Sequence, residues 1–286
     1  MTIRTTHQEF LLLRDFIHNK SGIYLQENKK YLIENRLSGI ARESGCKSFG
    51  EFYIKLKNSQ SAEKLCESVV DAITTNETLW LRDQHPFSIL EERILPQYLE
   101  KIKKGKSNGL KIWSAACSTG QEPYSIAMTS LNFQNKYGFK TFQNDPIKIF
   151  ATDISGSAIS VATKGQYDNN TMKRGMTPDF HKTYFKKEKN KWVINERVKN
   201  MITFKELNLK TPFERTMGPF DIVFLRNVII YFSDELKKTL FNRIIDILSP
   251  GGYFFLGTGE TITGYTDGFE PLVHNDAIYY KLKKNL

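Results

Sequence analysis

The chain has 286 residues, of which 40% are hydrophobic and 25% charged, and its net charge at pH 7 is +10. This composition is typical of globular proteins, and the length accommodates one large domain or two smaller ones. The longest apolar runs, such as FDIVFL and GYFFLG, are too short to span a bilayer, and the N-terminus lacks the apolar core of a signal peptide. We therefore expect a cytoplasmic protein without membrane insertion.

Cysteines and histidines do not follow the spacing that a metal site or a disulfide framework requires. The three cysteines, Cys46, Cys66 and Cys117, have no paired spacing, and the five histidines are scattered along the chain. Structural zinc sites and disulfide-rich domains place these residues at regular intervals. We therefore expect reduced thiols in the core and no bound metal.

The first part of the chain, residues 1–72, has helical periodicity and no strand pattern. Four helices are predicted, over residues 9–17, 29–42, 49–56 and 62–73. Residues 73–85 follow as a linker that contributes to the ligand site. Its sequence TTNETLWLR, residues 74–82, predicts a polar hinge that runs into an apolar helix, which Thr75 or Asn76 would cap. We expect residues 1–72 to form a small helical domain.

Strands and helices alternate in the remainder, residues 86–286. A helix is predicted over residues 86–99. Strands are predicted over residues 110–116, 147–153, 201–206, 219–225, 253–257 and 277–282, and further helices over 121–136, 155–163 and 234–248. This alternation is typical of an α/β domain with a doubly wound, mostly parallel sheet, here with an antiparallel edge.

Residues 166–204 interrupt the alternation and carry most of the excess positive charge. From Lys164 to Lys205 the chain has eleven basic and four acidic residues, a balance of +7. The sequence KWVINERV, residues 191–198, has strand-forming residues without a helical stripe, which predicts a small β-rich subdomain inserted into the α/β domain. The charge favours an acidic partner, and a merely solvated face is the alternative.

The segment KIWSAACSTGQEPYSIAM, residues 111–128, predicts a strand, a tight loop and a helix. Gly120 suits a positive φ in the turn, and Pro123 suits the first turn of the helix. Such a loop lies at the carboxyl end of a parallel strand, where open α/β sheets bind ligands. The sequence contains neither GxGxxG nor GxxxxGK[ST], the glycine-rich patterns that bind phosphates.

Two acidic residues follow neighbouring strands in this region, Glu122 after the first and Asp153 at the end of the second. Their charge would repel a pyrophosphate and suits a ligand with ribose hydroxyls and positive groups, such as S-adenosylmethionine. Alternatively, Glu122 complements the helix dipole and Asp153 caps the following helix. The residues by themselves leave both interpretations open.

Six motifs, in order along the whole chain, resemble the CheR family of chemotaxis receptor methyltransferases. They are TTNETLWLR, WSAACSTGQEPYSIAM, ATDIS, ELNL, FDIVFLRNVIIYF and LSPGGYFFLGTGE. The resemblance implies a class I S-adenosylmethionine-dependent methyltransferase fold with an all-helical N-terminal domain. It also implies S-adenosylmethionine as the cofactor, S-adenosylhomocysteine as the product, and no metal.

The resemblance implies roles for the residues that match the family's motifs. The positions that match cofactor-binding residues are Asn76, Thr78, Arg82, Glu122, Asp153, Asn208, Leu209, Arg226 and Asn227. Tyr231 matches the tyrosine near the transferred methyl group. Arg82 matches a position near the methionyl end of the cofactor and the incoming carboxylate, so Arg82 and Tyr231 are the candidate catalytic residues.

The implied reaction is methylation of glutamate side chains in the cytoplasmic helical domain of methyl-accepting chemotaxis receptors, which gives γ-glutamyl methyl esters. A glutamate is already ionised at neutral pH, so the reaction needs no general base. Lys29 and Arg36, seven residues apart, share a face of the second predicted helix, and we expect this face to dock on the receptor. We expect a monomer with no nucleic-acid partner.

The sequence departs from the family pattern at three places. Gln121 stands where many members have a second glutamate, and little is lost because Glu122 is present. The last motif reads GTGE instead of GHSE, so Glu260 is assigned no role. Between Phe185 and Trp192 the sequence KKEKNK replaces a Gly-x-Gly turn with which some members hold a peptide at the receptor's C-terminus. We therefore expect activity that is independent of such a tail peptide.

Two other functions are compatible with parts of this pattern. A non-catalytic sensing or docking module that binds S-adenosylmethionine would carry the same cofactor motifs. A nucleic-acid methyltransferase would suit the basic charge, but amino-directed members have an [DNS]PP[YFW] motif after the fourth strand, where this chain has LRNVIIYF. The pocket that such enzymes need for an extruded base is therefore not indicated.

Overall fold

The computed structural model describes residues 3–58, 62–107, 109–137, 146–214 and 216–283. Within these ranges the chain forms an N-terminal group of helices, a seven-stranded sheet flanked by helices, and a three-stranded sheet. None of the described helices has the length and apolar character that crossing a bilayer requires.

Four helices form the N-terminal domain: α1 (His7–Ser21), α2 (Lys30–Glu43), α3 (Phe49–Asn58) and α4 (Ala62–Ile73). A capping box begins α1, because the Thr6 hydroxyl accepts from the Glu9 N–H and the Glu9 carboxylate accepts from the Thr6 N–H. Gly22 ends it with a φ of 80°. The apolar stripes pack together around residues such as Phe10, Leu37 and Phe52, which are fully buried. All four predicted helices are present.

Ten strands lie within the described residues: β1 (Leu110–Ala115), β2 (Ile147–Asp153), β3 (Gln166–Tyr167), β4 (Phe185–Glu188), β5 (Lys191–Ile194), β6 (Ile202–Glu206), β7 (Phe220–Leu225), β8 (Leu248–Phe255), β9 (Phe269–His274) and β10 (Ala277–Leu282). The large sheet has the order β6-β2-β1-β7-β8-β10-β9. In this order, the strands from β6 to β8 are parallel to one another, and β10 runs antiparallel to both of its neighbours.

The class I methyltransferase fold is confirmed, with one difference at the edge of the sheet. The antiparallel strand β10 lies one position inside the edge, because β9, which the sequence pattern did not predict, covers it. Proline and charged residues are typical of edge strands, and β9 contains Pro271 next to the exposed Glu270. The strands that the alternation predicted are all present.

Helices cover both faces of the large sheet. Outside the insert these are α5 (His85–Ile89), α6 (Leu95–Lys103), α7 (Gln121–Lys136), α8 (Gly156–Lys164) and α12 (Asp234–Ile247), with a π-helical turn over Leu90–Ile94 between α5 and α6. The insert contributes α9 (Asn169–Lys173) and α10 (Pro178–Tyr184), which pack against the small sheet, and α11 (Glu196–Lys199), which packs against α7. Neighbouring residues of β1 point to opposite faces. Ile112 packs with Tyr124 of α7 in one core, and Trp113 packs with Phe241 of α12 in the other.

The basic insert contains the predicted small antiparallel sheet, in the order β3-β5-β4, together with three short helices that the sequence did not predict. The strand predicted over residues 191–198 is longer than the strand in the structure. β5 ends at Ile194, and Asn195 then caps α11 by accepting a hydrogen bond from the Val198 N–H at 3.0 Å.

Candidate functional site

A single cavity at the carboxyl ends of β1, β2 and β7 brings together all ten residues that the sequence assigned to cofactor binding or catalysis. They are Asn76, Thr78, Arg82, Glu122, Asp153, Asn208, Leu209, Arg226, Asn227 and Tyr231. The N-terminal domain supplies part of the wall through Ile23, Leu25 and Leu32. Lys29 and Arg36 do not belong to this lining. Positions far apart in the chain thus meet at one site, and their individual roles remain predictions.

The loop between β1 and α7 has the predicted conformation. Gly120 has a φ of 95°, and a Cβ atom at this position would lie 2.9 Å from the Cβ of Ala162, so the turn requires glycine. Pro123 lies in the first turn of α7. The Ser118 N–H donates to the Asp153 carboxylate at 2.8 Å, which joins this loop to the end of β2.

The Asp153 carboxylate lies at the floor of the cavity and is almost completely buried. It accepts hydrogen bonds from the N–H groups of Ser118 and Ser155, at 2.8 and 3.0 Å. Burial raises the pKa of Asp153, and these N–H groups oppose the rise. The cap of α8 is Ser155, whose hydroxyl accepts from the Ala158 N–H. The alternative in which Asp153 caps this helix is therefore wrong.

Glu122 is paired with a buried arginine and does not present an isolated charge to the cavity. Arg226 donates to the Glu122 carboxylate at 2.8 Å, to the Asp83 carboxylate at 2.7 Å and to the Arg82 carbonyl at 2.7 Å. The Ser114 hydroxyl donates to the other Glu122 oxygen at 2.8 Å. The side chain of Arg226 is 1% exposed. Its paired charges are therefore strongly coupled, and removing one partner would leave a buried charge.

Asp83 is a part of this network that the sequence analysis did not identify. The signal in the sequence was its position directly after Arg82, at the end of the TTNETLWLR motif. Together the two residues anchor the hinge to the end of β7, since one supplies its carboxylate and the other its carbonyl to the same guanidinium.

The prediction of a helix in the hinge is wrong, because α5 begins only at His85. Leu81, Asp83 and Gln84 have positive φ angles of 48°, 67° and 50°. Such angles cost a residue with a Cβ on the order of 1–3 kcal/mol and persist when surrounding contacts fix them. One such contact is the hydrogen bond from the Leu81 N–H to the Ser125 hydroxyl at 3.1 Å.

The insert fixes the hinge from the other side. The Trp80 N–H donates to the Arg174 carbonyl at 3.1 Å, and the Trp80 indole N–H donates to the Thr171 carbonyl at 3.1 Å. Gly175 has a φ of 94°, and a Cβ at this position would lie 2.3 Å from the Trp80 carbonyl oxygen. The chain can approach the hinge this closely because it has glycine there. The insert therefore helps to place Arg82 in the cavity wall.

Two segments of the catalytic domain connect the site to the N-terminal domain. The Asn208 amide donates to the Lys20 carbonyl at 2.7 Å, and the Lys210 ammonium donates to the carbonyls of His18 and Asn19 at 3.0 and 2.6 Å. These carbonyls belong to the last turn of α1, where a cation is favourable. In addition, the backbone N–H of Tyr24 donates to the carbonyl of the Tyr231 backbone at 2.8 Å.

The residues predicted to dock on a receptor lie at the start of α2 and within it, and their docking role stays a prediction. The helix α2 begins at Lys30, so Lys29 precedes it. The Arg36 guanidinium donates to the Ile73 and Thr74 carbonyls at 2.7 and 3.1 Å, and also reaches the Thr75 hydroxyl. Arg36 therefore supports the start of the hinge.

The cavity fits S-adenosylmethionine in charge and in hydrogen-bonding groups. Its formally charged lining residues are three carboxylates, Glu77, Glu122 and Asp153, and two guanidinium groups, Arg82 and Arg226. The lining thus has a formal charge of −1, which complements the +1 of a ligand with sulfonium, ammonium and carboxylate groups. The Nε–H of Arg226 is buried and has no acceptor within the described ranges.

Comparisons with known proteins agree with the fold. The family described as CheR methyltransferase, SAM binding domain, matches residues 76–278, and the CheR methyltransferase all-alpha domain matches residues 8–74. The chain is 40% identical to Chemotaxis protein methyltransferase 1 of Pseudomonas aeruginosa, over 96% of this chain and 98% of the relative. It is 38% identical to Chemotaxis protein methyltransferase Cher2 of Pseudomonas putida, over 98% and 99%. The chain therefore belongs to the CheR family of S-adenosylmethionine-dependent chemotaxis methyltransferases.

Proposed function

We propose that this protein transfers the methyl group of S-adenosylmethionine to glutamate side-chain carboxylates of methyl-accepting chemotaxis receptors. The products are γ-glutamyl methyl esters and S-adenosylhomocysteine. The observation that carries this proposal is that Arg82 and Tyr231 share one cavity with the residues assigned to the cofactor. The names of the relatives, which are chemotaxis protein methyltransferases, support the assignment to chemotaxis receptors.

The residues around the cavity divide into three groups by their chemistry. Asp153, Asn208 and Leu209 suit the ribose and the adenine, since they offer a carboxylate, an amide and an apolar side chain. Arg82, Glu122 and Arg226 suit the amino-acid end, and Asn76, Thr78 and Asn227 complete the polar wall. When bound, S-adenosylmethionine supplies an electrophilic methyl group on its sulfonium.

Arg82 and Tyr231 orient the incoming glutamate without removing its nucleophilicity. The glutamate is ionised at neutral pH, so no residue has to accept a proton from it. A hydrogen bond from the Tyr231 hydroxyl leaves most of the negative charge on the attacking oxygen, whereas a bidentate contact with Arg82 would neutralise more of it. Catalysis then depends chiefly on alignment, for which effective molarities reach roughly 10⁵–10⁸ M.

Recognition of the receptor is independent of a tail peptide in this proposal. The hairpin of β4 and β5 turns through Lys189 and Asn190, where some members of the family have a Gly-x-Gly sequence. The exposed Lys29 at the start of α2 remains a candidate for contact with an acidic receptor helix, and Arg36 contributes through the hinge. The protein acts in the cytoplasm as a monomer.

The test uses radiolabelled S-adenosylmethionine, the purified protein and receptor-containing membranes from the source organism. We expect label on a receptor band and its release as volatile methanol in alkali, as a carboxyl methyl ester requires. Label that resists alkali would contradict glutamate methylation. Binding of S-adenosylhomocysteine in calorimetry, without transfer to any receptor, would instead favour a sensing or docking module.

A further inference from the structure

Glu260, to which the sequence assigned no role, connects the loops that follow β7 and β8. Its carboxylate accepts three backbone hydrogen bonds: from the Asn227 N–H at 2.7 Å, from the Ile229 N–H at 2.9 Å and from the Gly257 N–H at 2.8 Å. Hydrogen bonds of this kind, with an ionised acceptor, are short and strong. One side chain therefore holds two adjacent loops at the edge of the cavity.

The loop that Glu260 holds contains residues of the site. Asn227 and Tyr231 line the cavity, and Val228 lies between them. The Asn227 backbone has a φ of 59°, which is uncommon for a residue other than glycine and persists when surrounding contacts enforce it. The hydrogen bond from the Asn227 N–H to Glu260 is such a contact.

Gly257 fixes the distance between the two loops. A Cβ atom at this position would lie 2.6 Å from the Asn227 amide nitrogen and 2.9 Å from the Asn227 backbone nitrogen. No other residue would leave Asn227 where it is. The loops therefore interlock, with Gly257 allowing the close approach and Glu260 satisfying the backbone N–H groups.

We propose that Glu260 is a positioning residue for methyl transfer, which holds residues 227–231 so that Asn227 and Tyr231 face the cavity. A carboxylate can accept all three N–H groups, because it carries only acceptors. The amide of a glutamine would turn an N–H group towards at least one of these donors and lose that hydrogen bond. The proposal rests on the proposed function, since methyl transfer to a receptor is its main readout.

The first test compares Glu260→Gln with a matched control, Glu270→Gln, which makes the same change at an exposed position in β9. At saturating S-adenosylmethionine we expect kcat to fall at least tenfold in Glu260→Gln, because a displacement of about 1 Å can cost roughly 100-fold. The KM for the receptor should stay within twofold, and the control should match the wild type. A wild-type kcat in folded Glu260→Gln overturns the proposal.

A double-mutant cycle separates positioning from a general loss of stability. If Glu260 acts by placing Tyr231, then Tyr231→Phe should cost much less in the Glu260→Gln background than in the wild type. If the loss of kcat in the double variant equals the product of the losses in the two single variants, and the melting temperature falls, then Glu260 only stabilises the fold. That result would overturn the proposal.

A second variant covers the case in which Glu260→Gln does not fold. Gly257→Ala leaves the carboxylate in place and displaces Asn227 directly, so we expect a reduced kcat at an unchanged receptor KM. Wild-type kinetics in folded Gly257→Ala would refute the importance of this loop geometry. A wild-type protein that binds S-adenosylhomocysteine but methylates no receptor refutes the proposed function, and the kinetic role of Glu260 with it. An active wild type with unaffected variants refutes the role of Glu260 alone.

Discussion

The backbone and the side chain of Tyr231 have different roles. Its carbonyl accepts from the Tyr24 N–H at 2.8 Å, and its own N–H donates to the Val228 carbonyl at 3.1 Å. These two hydrogen bonds fix the chain, while the half-buried ring lines the cavity. Removal of the hydroxyl alone should therefore change the chemistry and leave the fold intact.

We expect Tyr231→Phe to lower kcat about tenfold to 100-fold, since a hydrogen bond to an ionised carboxylate contributes about 1.5–3 kcal/mol. The affinity for S-adenosylhomocysteine should stay within twofold, because the backbone around the site does not move. Methyl-transfer kinetics and calorimetry measure the two quantities. Tyr137→Phe, at an exposed tyrosine beyond α7, is the control. An unchanged kcat in Tyr231→Phe would exclude its hydroxyl from the reaction.

At the scale of elements, the hinge depends on an insert that follows it by almost a hundred residues. The Trp80 backbone packs against Gly175, and Glu77 pairs with Arg174 at 3.1 Å. The Trp80 ring packs edge to face with Tyr167 and Phe185 of the insert. The insert therefore supports the hinge that lines the cavity.

Substitution of Gly175 tests this scaffold. Gly175→Ala places a Cβ against the Trp80 carbonyl, so we expect a displaced hinge, a kcat at least tenfold lower and a reduced melting temperature. The control is Gly264→Ala, at a glycine with a similarly positive φ of 81° and no described atom within 4 Å of its Cβ. Gly264→Ala should lower the free energy of unfolding by only about 1 kcal/mol, because of backbone strain. Equal effects of the two substitutions would show that the insert does not position the hinge.

Elements that depend on local signals were predicted from the sequence, whereas features that depend on contacts between distant residues were not. Strands and helices of the α/β domain were predicted because alternation and caps such as Ser233, whose hydroxyl accepts from the Leu236 N–H, are local signals. The hinge was mispredicted because its turn is held by Ser125 and Arg226, which are distant in sequence. Asp83 and Glu260 were missed for the same reason, since their roles depend on backbone groups and guanidinium groups of other loops.

At the scale of the whole molecule, the cavity lies between the two domains. Lys210 donates to the carbonyls at the end of α1, and the pKa of Lys210 is lowered by burial. The Asn208 amide donates to the Lys20 carbonyl in the same turn. Contacts between the domains are therefore next to the residues expected at the adenine, so ligand binding and domain contact should be coupled.

Lys210→Met tests this coupling. The variant keeps the length of the side chain and removes both hydrogen bonds to α1, so we expect the affinity for S-adenosylhomocysteine to fall about threefold to tenfold. The rise in melting temperature on addition of S-adenosylhomocysteine should shrink accordingly. Lys205→Met serves as the control, since its surface ion pair with Glu214 should contribute at most about 1 kcal/mol. An unchanged affinity in Lys210→Met would mean that the domain contact does not support the ligand site.

Part of the positive charge of the insert lies on the hairpin of β4 and β5. Lys187, Lys189 and Lys191 are exposed there, and the neighbouring Glu188 is paired with Lys186 at 2.8 Å. None of these residues lines the cavity. Exposed charges outside the cavity affect encounter and orientation more than chemistry, and salt screens them.

Replacing these three lysines with glutamine should therefore raise the receptor KM severalfold and flatten its dependence on salt, while kcat stays the same. A triple glutamine variant of Lys101, Lys104 and Lys106, near the end of α6, removes equal charge elsewhere and should leave the receptor KM unchanged. If both variants raise the KM equally, net charge alone steers the encounter. If neither does, the basic hairpin is a solvated face and receptor recognition lies elsewhere on the molecule.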